Sequence, residues 1–324
     1  ALNGMALGLF ASLIIGLILK QIGTYLNIKL LTGTGQIAQY LMGPAIGAGV
    51  AYSIGVSPLG IFASIITGAI GAGTVKLGAV PSLQIGEPVG ALIAALAGAE
   101  LSRLIQGKTK VDIVLVPAGT IITGGLMGKW IGPVVVELMY WLGNLINVAT
   151  ELHPFPMGIV VSTLMGMILT LPISSAALAI SLGLEGLAAG AATVGCSAQM
   201  IGFAIASYRE NRAGGLLAQG LGTSMLQIPN IVKNPLIWLP PTITSAILGP
   251  LATVVFKMEN NKIGAGMGTS GLVGQFGTFQ VMGSRAWPGV ILLHFILPAL
   301  LTFFISEYMR KKGFIKSGDM LIEN

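Results

Sequence analysis

Residues 263–288 read IGAGMGTSGLVGQFGTFQVMGSRAWP. The stretch lies between two long apolar runs, yet it holds seven glycines and a row of small polar side chains. Glycine costs roughly 1 kcal/mol at each helix-interior position. Thr269, Ser270, Gln275, Thr278 and Gln280 would be poorly placed facing lipid. Interrupted polar backbone at membrane depth is tolerated only where it is buried in protein or lines a cavity. The stretch is therefore expected to be a re-entrant or unwound segment at a transport or binding site. A second stretch of the same kind, IGAGTVKLGAVPSLQIGEP, covers residues 70–88. Both begin Ile-Gly-Ala-Gly and both end in a proline that opens a long apolar run. Proline suits a helix start, because its missing N–H would have been unpaired there.

Around these two stretches the chain is strongly apolar. Of 324 residues, 54% are hydrophobic and 9% charged, with a mean hydropathy of +0.87; soluble domains carry about 25% charged residues. Several apolar runs of about 17 residues or more are each long enough to cross a bilayer. The fold class expected is an all-α polytopic membrane protein, a single membrane domain over 1–324 surrounded by lipid. Formal net charge is +6, but in such a chain the location of the positive residues carries the information. They collect at Arg103–Lys110, Arg209–Arg212 and Arg310–Lys316, which places these ends, and the C-terminus, in the cytoplasm. No basic face suited to nucleic acid is present.

Several chemistries are excluded. The single cysteine, Cys196, rules out an intramolecular disulfide and a thiolate metal cluster. It sits between Gly195 and Ser197 in an apolar run, the setting of a packed, inert thiol. Two histidines without a neighbouring ligand set do not make a metal site. No glycine loop ends in Lys-Ser or Lys-Thr, so the chain is not itself an ATP-driven pump. The glycine-rich stretches follow no strand, which excludes a dinucleotide fold. No cofactor and no enzymatic activity are expected. The first apolar run lacks a basic leader and is read as a membrane helix rather than a signal peptide.

In chain order, helices are expected over about Gly4–Leu19, Ile37–Ile54, Leu59–Ile70 and Pro88–Ile105, with a turn at Thr32-Gly33-Thr34-Gly35. Residues 111–127 make a further span. Residues 131–149 are amphipathic, either lying in the interface or spanning beside a polar interior. At Met157 the pattern restarts: GLFASLIIGLIL (Gly8–Leu19) and GIVVSTLMGMIL (Gly158–Leu169) align without gaps. Gly43 and Gly47 correspond to Gly186 and Gly190, Ile70–Gly73 to Ile263–Gly266, and Pro88 to Pro288. Two repeats follow, about 1–106 and 157–312, joined by connecting helices over about 107–156 and ending in a polar tail, 313–324. If 131–149 spans the membrane, the repeats are parallel, with about ten transmembrane helices in all; if it lies flat, they are inverted. An insertion at Gly214–Pro241 carries four prolines and cannot be one straight helix.

Repeats place transport sites at their interface, so the two glycine-rich segments are expected to meet near mid-membrane and bind a polyhydroxyl ligand. Gln84, Thr269, Ser270 and Gln275 are the side-chain partners proposed for it. Glu87, at a helix N-terminus, is either a surface charge or a ligand acceptor or proton carrier. His153, between Glu151 and Pro154, is either part of a turn or a titratable ligand contact. His294, in an apolar helix, is read as packing. Glu100 and Arg103 suit a local pair, and Glu185 could face a cavity.

At Asn234-Pro235-Leu236-Ile237-Trp238-Leu239-Pro240 the chain resembles enzyme IIC, the membrane permease subunit of the bacterial sugar phosphotransferase system. The His153-Pro154 and Glu87-Pro88 pairs are similar to motifs through which such permeases contact sugar hydroxyls. Over its whole length, and most of all at GMGTSGLVGQ, the chain is similar to the EIIC-like group of the perfringolysin O regulator type. The resemblance implies a homodimer in the bacterial cytoplasmic membrane that binds and translocates a sugar or similar small polar solute, with Asn234 among the binding residues. The sequence contains no IIA or IIB domain, so phosphorylation-linked transport would use separate IIA and IIB proteins. A ligand-sensing regulator without transport, or an ion-coupled transporter independent of phosphorylation, are the alternatives.

Overall fold

The structure, a computed structural model, describes residues 1–78 and 80–322, apart from the side chain of Val136. It is 79% helical, and the strands among the described residues are two residues each, Val75–Lys76 and Ser82–Leu83. Among the described residues, six helices are long and apolar enough to cross a membrane, including Leu2–Tyr25, Pro88–Ile105 and Gly186–Ala206. The chain divides into two compact units, Ala1–Met139 and Tyr140–Asn324.

In the first unit the Met42–Ser53 helix packs against Leu2–Leu9, Pro58–Ala72 and Pro88–Ile105. Glycine makes this closeness possible. Gly4 lies against the Gly49 backbone, and Gly47 against the Ser64 carbonyl, with no room for a Cβ. Between apolar helices in lipid, small residues of this kind allow the contact that larger ones prevent. Met5, Leu9, Met42, Ile46 and Val50 fill the layer. The Pro58–Ala72 helix is capped by Ser57, which accepts from the Gly60 N–H, and ends at Gly73 in the left-handed conformation.

Two expectations change here. The presumed turn at Thr32–Gly35 lies inside a helix, Lys29–Tyr40. Its Gly35 packs on the backbone of Gly16 and Lys20, so this glycine serves helix contact rather than chain reversal. Residues 111–127 and 131–149 are not separate elements. They belong to one 39-residue helix, Asp112–Thr150, which continues through Pro117 and Pro133. At 1.5 Å per residue that is roughly 58 Å, about twice the hydrocarbon thickness of a bilayer.

The second unit is built on Gly186–Ala206, a helix with 16 of its 21 residues buried. Pro154–Thr170, Leu239–Pro250 and Leu297–Lys311 surround it. Its sequence, GLAAGAATVGCSAQMIGFAIA, is small and apolar on every face, the pattern of a helix enclosed by protein. Gly195 touches the Ser162 backbone and Gly190 the Met258 carbonyl. The insertion is broken as its prolines require: a π turn at Ala218–Gly222, 3-10 turns at Ser224–Gln227 and Pro235–Trp238, and a short helix at Ile228–Lys233.

Candidate functional site

The second glycine-rich segment begins in an irregular stretch, with no helix between Lys257 and Thr269. Asn260, 1% exposed, holds it in place. Its Nδ2 lies 2.7 Å from Thr193 Oγ1, 2.9 Å from the Gly274 carbonyl and 3.1 Å from Thr278 Oγ1. Ser175 Oγ donates to the Gly266 carbonyl at 2.7 Å, and Gly268 packs on Cys196 and Ser197 of the central helix. The backbone then turns sharply. Gly268, Gly271 and the non-glycine Leu272 all have positive φ, 52°, 52° and 59°. Leu272 in that region is uncommon and marks local strain. From Val273 the chain is helical to Met282.

Within this segment Thr269 is fully buried and donates to the Gly220 carbonyl at 2.5 Å, which ties the segment to the π turn of the insertion. Ser270 is buried with no partner for Oγ. Gln275 is buried with its Nε2 2.9 Å from His294 Nδ1. His294 lies in a π-helical turn, Val290–Ile296, of the kind that is frequent at functional sites. From Ile263 to Ser284 there is no charged side chain.

The first segment takes another form. After Gly73 it makes an antiparallel hairpin, Val75 paired with Leu83 and Lys76 with Ser82. Leu77 and Val80 stand out from it, 89% and 81% exposed. Gln84 fastens the hairpin to the preceding helix: its side chain donates to the Gly73 carbonyl at 2.8 Å and its N–H to the Thr74 carbonyl at 2.9 Å. Glu87 occupies the N-cap position of Pro88–Ile105, and its N–H donates to the Ala72 carbonyl. Glu100 pairs with Arg103 at 2.8 Å.

His153 and Asn234 belong to the second unit, and neither is bonded to the glycine-rich segment. His153 is exposed at the N-cap of Pro154–Thr170. Asn234 caps the Pro235–Trp238 turn with Oδ1, while Nδ2 reaches the Phe314 carbonyl at 3.2 Å and Asp319 Oδ2 at 2.8 Å. It thereby holds the C-terminal tail. Residues 313–322 of the tail form a strap, with Ile315 and Met320 buried. Asn211 and Gln227 both donate to the Met320 carbonyl, at 2.8 and 3.0 Å, and Asn230 to that of Leu321 at 2.9 Å.

The family model for the phosphotransferase system, EIIC, matches residues 1–322. The chain belongs to the phosphotransferase system EIIC family. It is thus a multi-pass membrane protein of the permease type, and EIIC proteins form the transport component rather than the phosphorylating subunits of that system. They work with IIA and IIB components and sugar substrates. No curated protein and no solved structure matches the chain.

Sequence reasoning passed over Asn260 and Gln199. Gln199 is fully buried; its Oε1 accepts from Trp238 Nε1 at 3.0 Å and Thr170 Oγ1 at 3.2 Å, and its Nε2 donates to Thr242 at 3.1 Å. The signal was present in both cases. A carboxamide in an apolar membrane run must find its partners inside the protein, so its position predicts a buried network.

Proposed function

We propose that this EIIC protein is a permease for a sugar or a similar uncharged polyhydroxyl solute, and that the segment from Ile263 to Pro288 carries the binding groups. The observation that supports this most is the absence of charge from Ile263 to Ser284, where Ser270 and Gln275 nevertheless bury polar side chains inside the second unit. Backbone and neutral polar groups of this kind suit hydroxyls. Glu87, Gln84, His153 and Asn234 remain further candidate contacts. Of these, Glu87 and His153 are the strongest, since hydrogen bonds to a charged group contribute about 1.5–3 kcal/mol. Glu87→Gln is expected to weaken binding about tenfold or more, with Glu100→Gln, whose partner is Arg103, as the silent control.

The test is uptake of labelled sugars into proteoliposomes, with and without purified IIA and IIB partners supplied in phosphorylated form. Accumulation as sugar phosphate only in their presence supports phosphorylation-linked transport. Binding without uptake in either condition would reject the permease in favour of a membrane sensor. Assembly as a homodimer is part of the same proposal, and a monomer as the sole species by mass measurement in mild detergent would refute that part.

A further inference from the structure

The Gln275–His294 contact has polarity that can be followed atom by atom. Gln275 Nε2 is an amide nitrogen and can only donate, so His294 Nδ1 accepts at 2.9 Å and the ring hydrogen sits on Nε2. Beyond the second hydrogen on Gln275 Nε2, the pair therefore leaves open a donor, His294 Nε2–H, and an acceptor, Gln275 Oε1. Both atoms are buried and neither has a partner. Ser270 Oγ, on the same segment, is likewise buried and unpaired. Elsewhere in the second unit, the unpaired buried side-chain atoms among the described residues are Glu210 Oε2 and Arg310 Nε, and both belong to an ion pair bonded through other atoms. Unpaired buried polar atoms are rare and costly, and here three of them fall on the segment and the helix that faces it.

A pair that served packing alone would close both of its polar ends, or be apolar. An open donor at one end of the pair and an open acceptor at the other instead suit two hydroxyls of one solute, since a hydroxyl both accepts and donates. The surroundings decide the charge of the guest. The central helix Gly186–Ala206 and the helix Val273–Met282 carry no charged residue. Arg285 is exposed and nine residues before His294; Glu307, Arg310 and Lys311 lie more than three turns beyond it. Nothing there would compensate a carboxylate or phosphate.

We propose that His294 and Gln275 form a recognition pair for hydroxyls of an uncharged solute, selecting neutral sugars and polyols over their carboxylate- or phosphate-bearing counterparts. This rests on the reading of Ile263–Pro288 as the binding segment and adds the residue that sets its specificity.

The chain has two histidines, and His153 is exposed, so full-length protein labelled with ring 15N gives two separable imidazoles. The probes are D-glucose, N-acetyl-D-glucosamine and D-mannitol, against D-glucuronate and glucose 6-phosphate. At least one neutral probe is expected to shift the His294 Nε2 resonance while neither charged probe does. His294→Asn keeps an acceptor near the Nδ1 position and removes the Nε2 donor; His294→Gln returns a donor near Nε2. A purely structural His294 predicts that H294N binds as well as wild type. The recognition role predicts a wild-type thermal midpoint with about tenfold weaker binding of the responding probe, and partial recovery in H294Q. The proposal is overturned if no neutral probe moves the His294 signal, if a charged probe moves it equally, or if H294N binds undiminished. Uptake measured in parallel separates the two claims. Transport of a probe sugar with a silent His294 sinks the pair and leaves the permease standing. A responsive His294 without transport of any probe does the reverse.

Discussion

Arg310 and Glu210 form an ion pair at 2.9 Å whose side chains are 11% and 6% exposed. The same Nη2 donates to the Ala206 carbonyl at 3.0 Å, and Nη1 to that of Lys316 at 3.4 Å. One guanidinium thus joins the last helix, the end of the central helix and the C-terminal tail. Arg310→Met deletes all three attachments and strands a buried carboxylate, a change that costs about 3–5 kcal/mol. Glu210→Leu should cost less, about 2 kcal/mol, because the two carbonyls still satisfy part of the guanidinium. The pair is imperfect, since Glu210 Oε2 and Arg310 Nε have no partners. Replacing both residues together should therefore return stability to within about 1 kcal/mol of wild type, as apolar replacement of buried ion pairs often does. The assay is equilibrium unfolding in mixed micelles followed by tryptophan fluorescence, with the four proteins run as a double-mutant cycle. A loss below about 1 kcal/mol for R310M, or a double variant as unstable as R310M, would refute the assignment of a buried, mutually dependent pair.

Other outcomes follow from single contacts. Met320→Ala, at a fully buried position in the tail, should destabilise by about 2–5 kcal/mol and raise hydrogen exchange over Asn211–Asn234, whose amides hold the tail; unchanged exchange would mean the strap is not docked. Gly190→Ala puts a Cβ into the Met258 carbonyl, so overpacking of about 1–3 kcal/mol is expected as a lowered thermal midpoint. Asn260→Ala strips the shared partner of Thr193, Gly274 and Thr278. Protease cleavage within 262–269 should accelerate well before the remainder of the second unit unfolds, and an unaltered cleavage pattern would remove Asn260 from its anchoring role.

The helical membrane class was legible because length and apolar content alone specify it, whereas the bounds of single helices were less so. Pro88–Ile105 begins at the proline expected to open it, and Pro58–Ala72 and Pro154–Thr170 likewise begin at prolines, one and about three residues before their expected starts. Glycine was harder to read, because it performs two unrelated tasks that look identical in one dimension. Of the seven glycines between Ile263 and Pro288, Gly268, Gly271 and Gly283 have positive φ and reverse the chain. Gly264 and Gly277 instead make room for Asn260, and Gly266 for Ser175. The same ambiguity turned Thr32–Gly35 into a presumed loop, when Gly35 is a helix contact. Only the partner's approach tells the two apart, and that approach is tertiary.

Polar residues in apolar runs pose the complementary problem. Gln199, Gln219, Gln227 and Asn260 are each nearly or fully buried, and each could be marked from sequence as needing an internal partner, since lipid offers none. The sequence does not say which partner. Gln219 bonds Ser207 and Gln227, and Gln227 bonds the tail carbonyl of Met320, 93 residues away. A tail that reads as polar and dispensable is thereby the end of a chain of amides beginning beside Gly220, whose carbonyl receives Thr269. Where every such need is met inside the fold, the amide is structural. His294 and Gln275 satisfy each other on one side and are open on the other, and that remaining need is what the proposal of a recognition pair rests on.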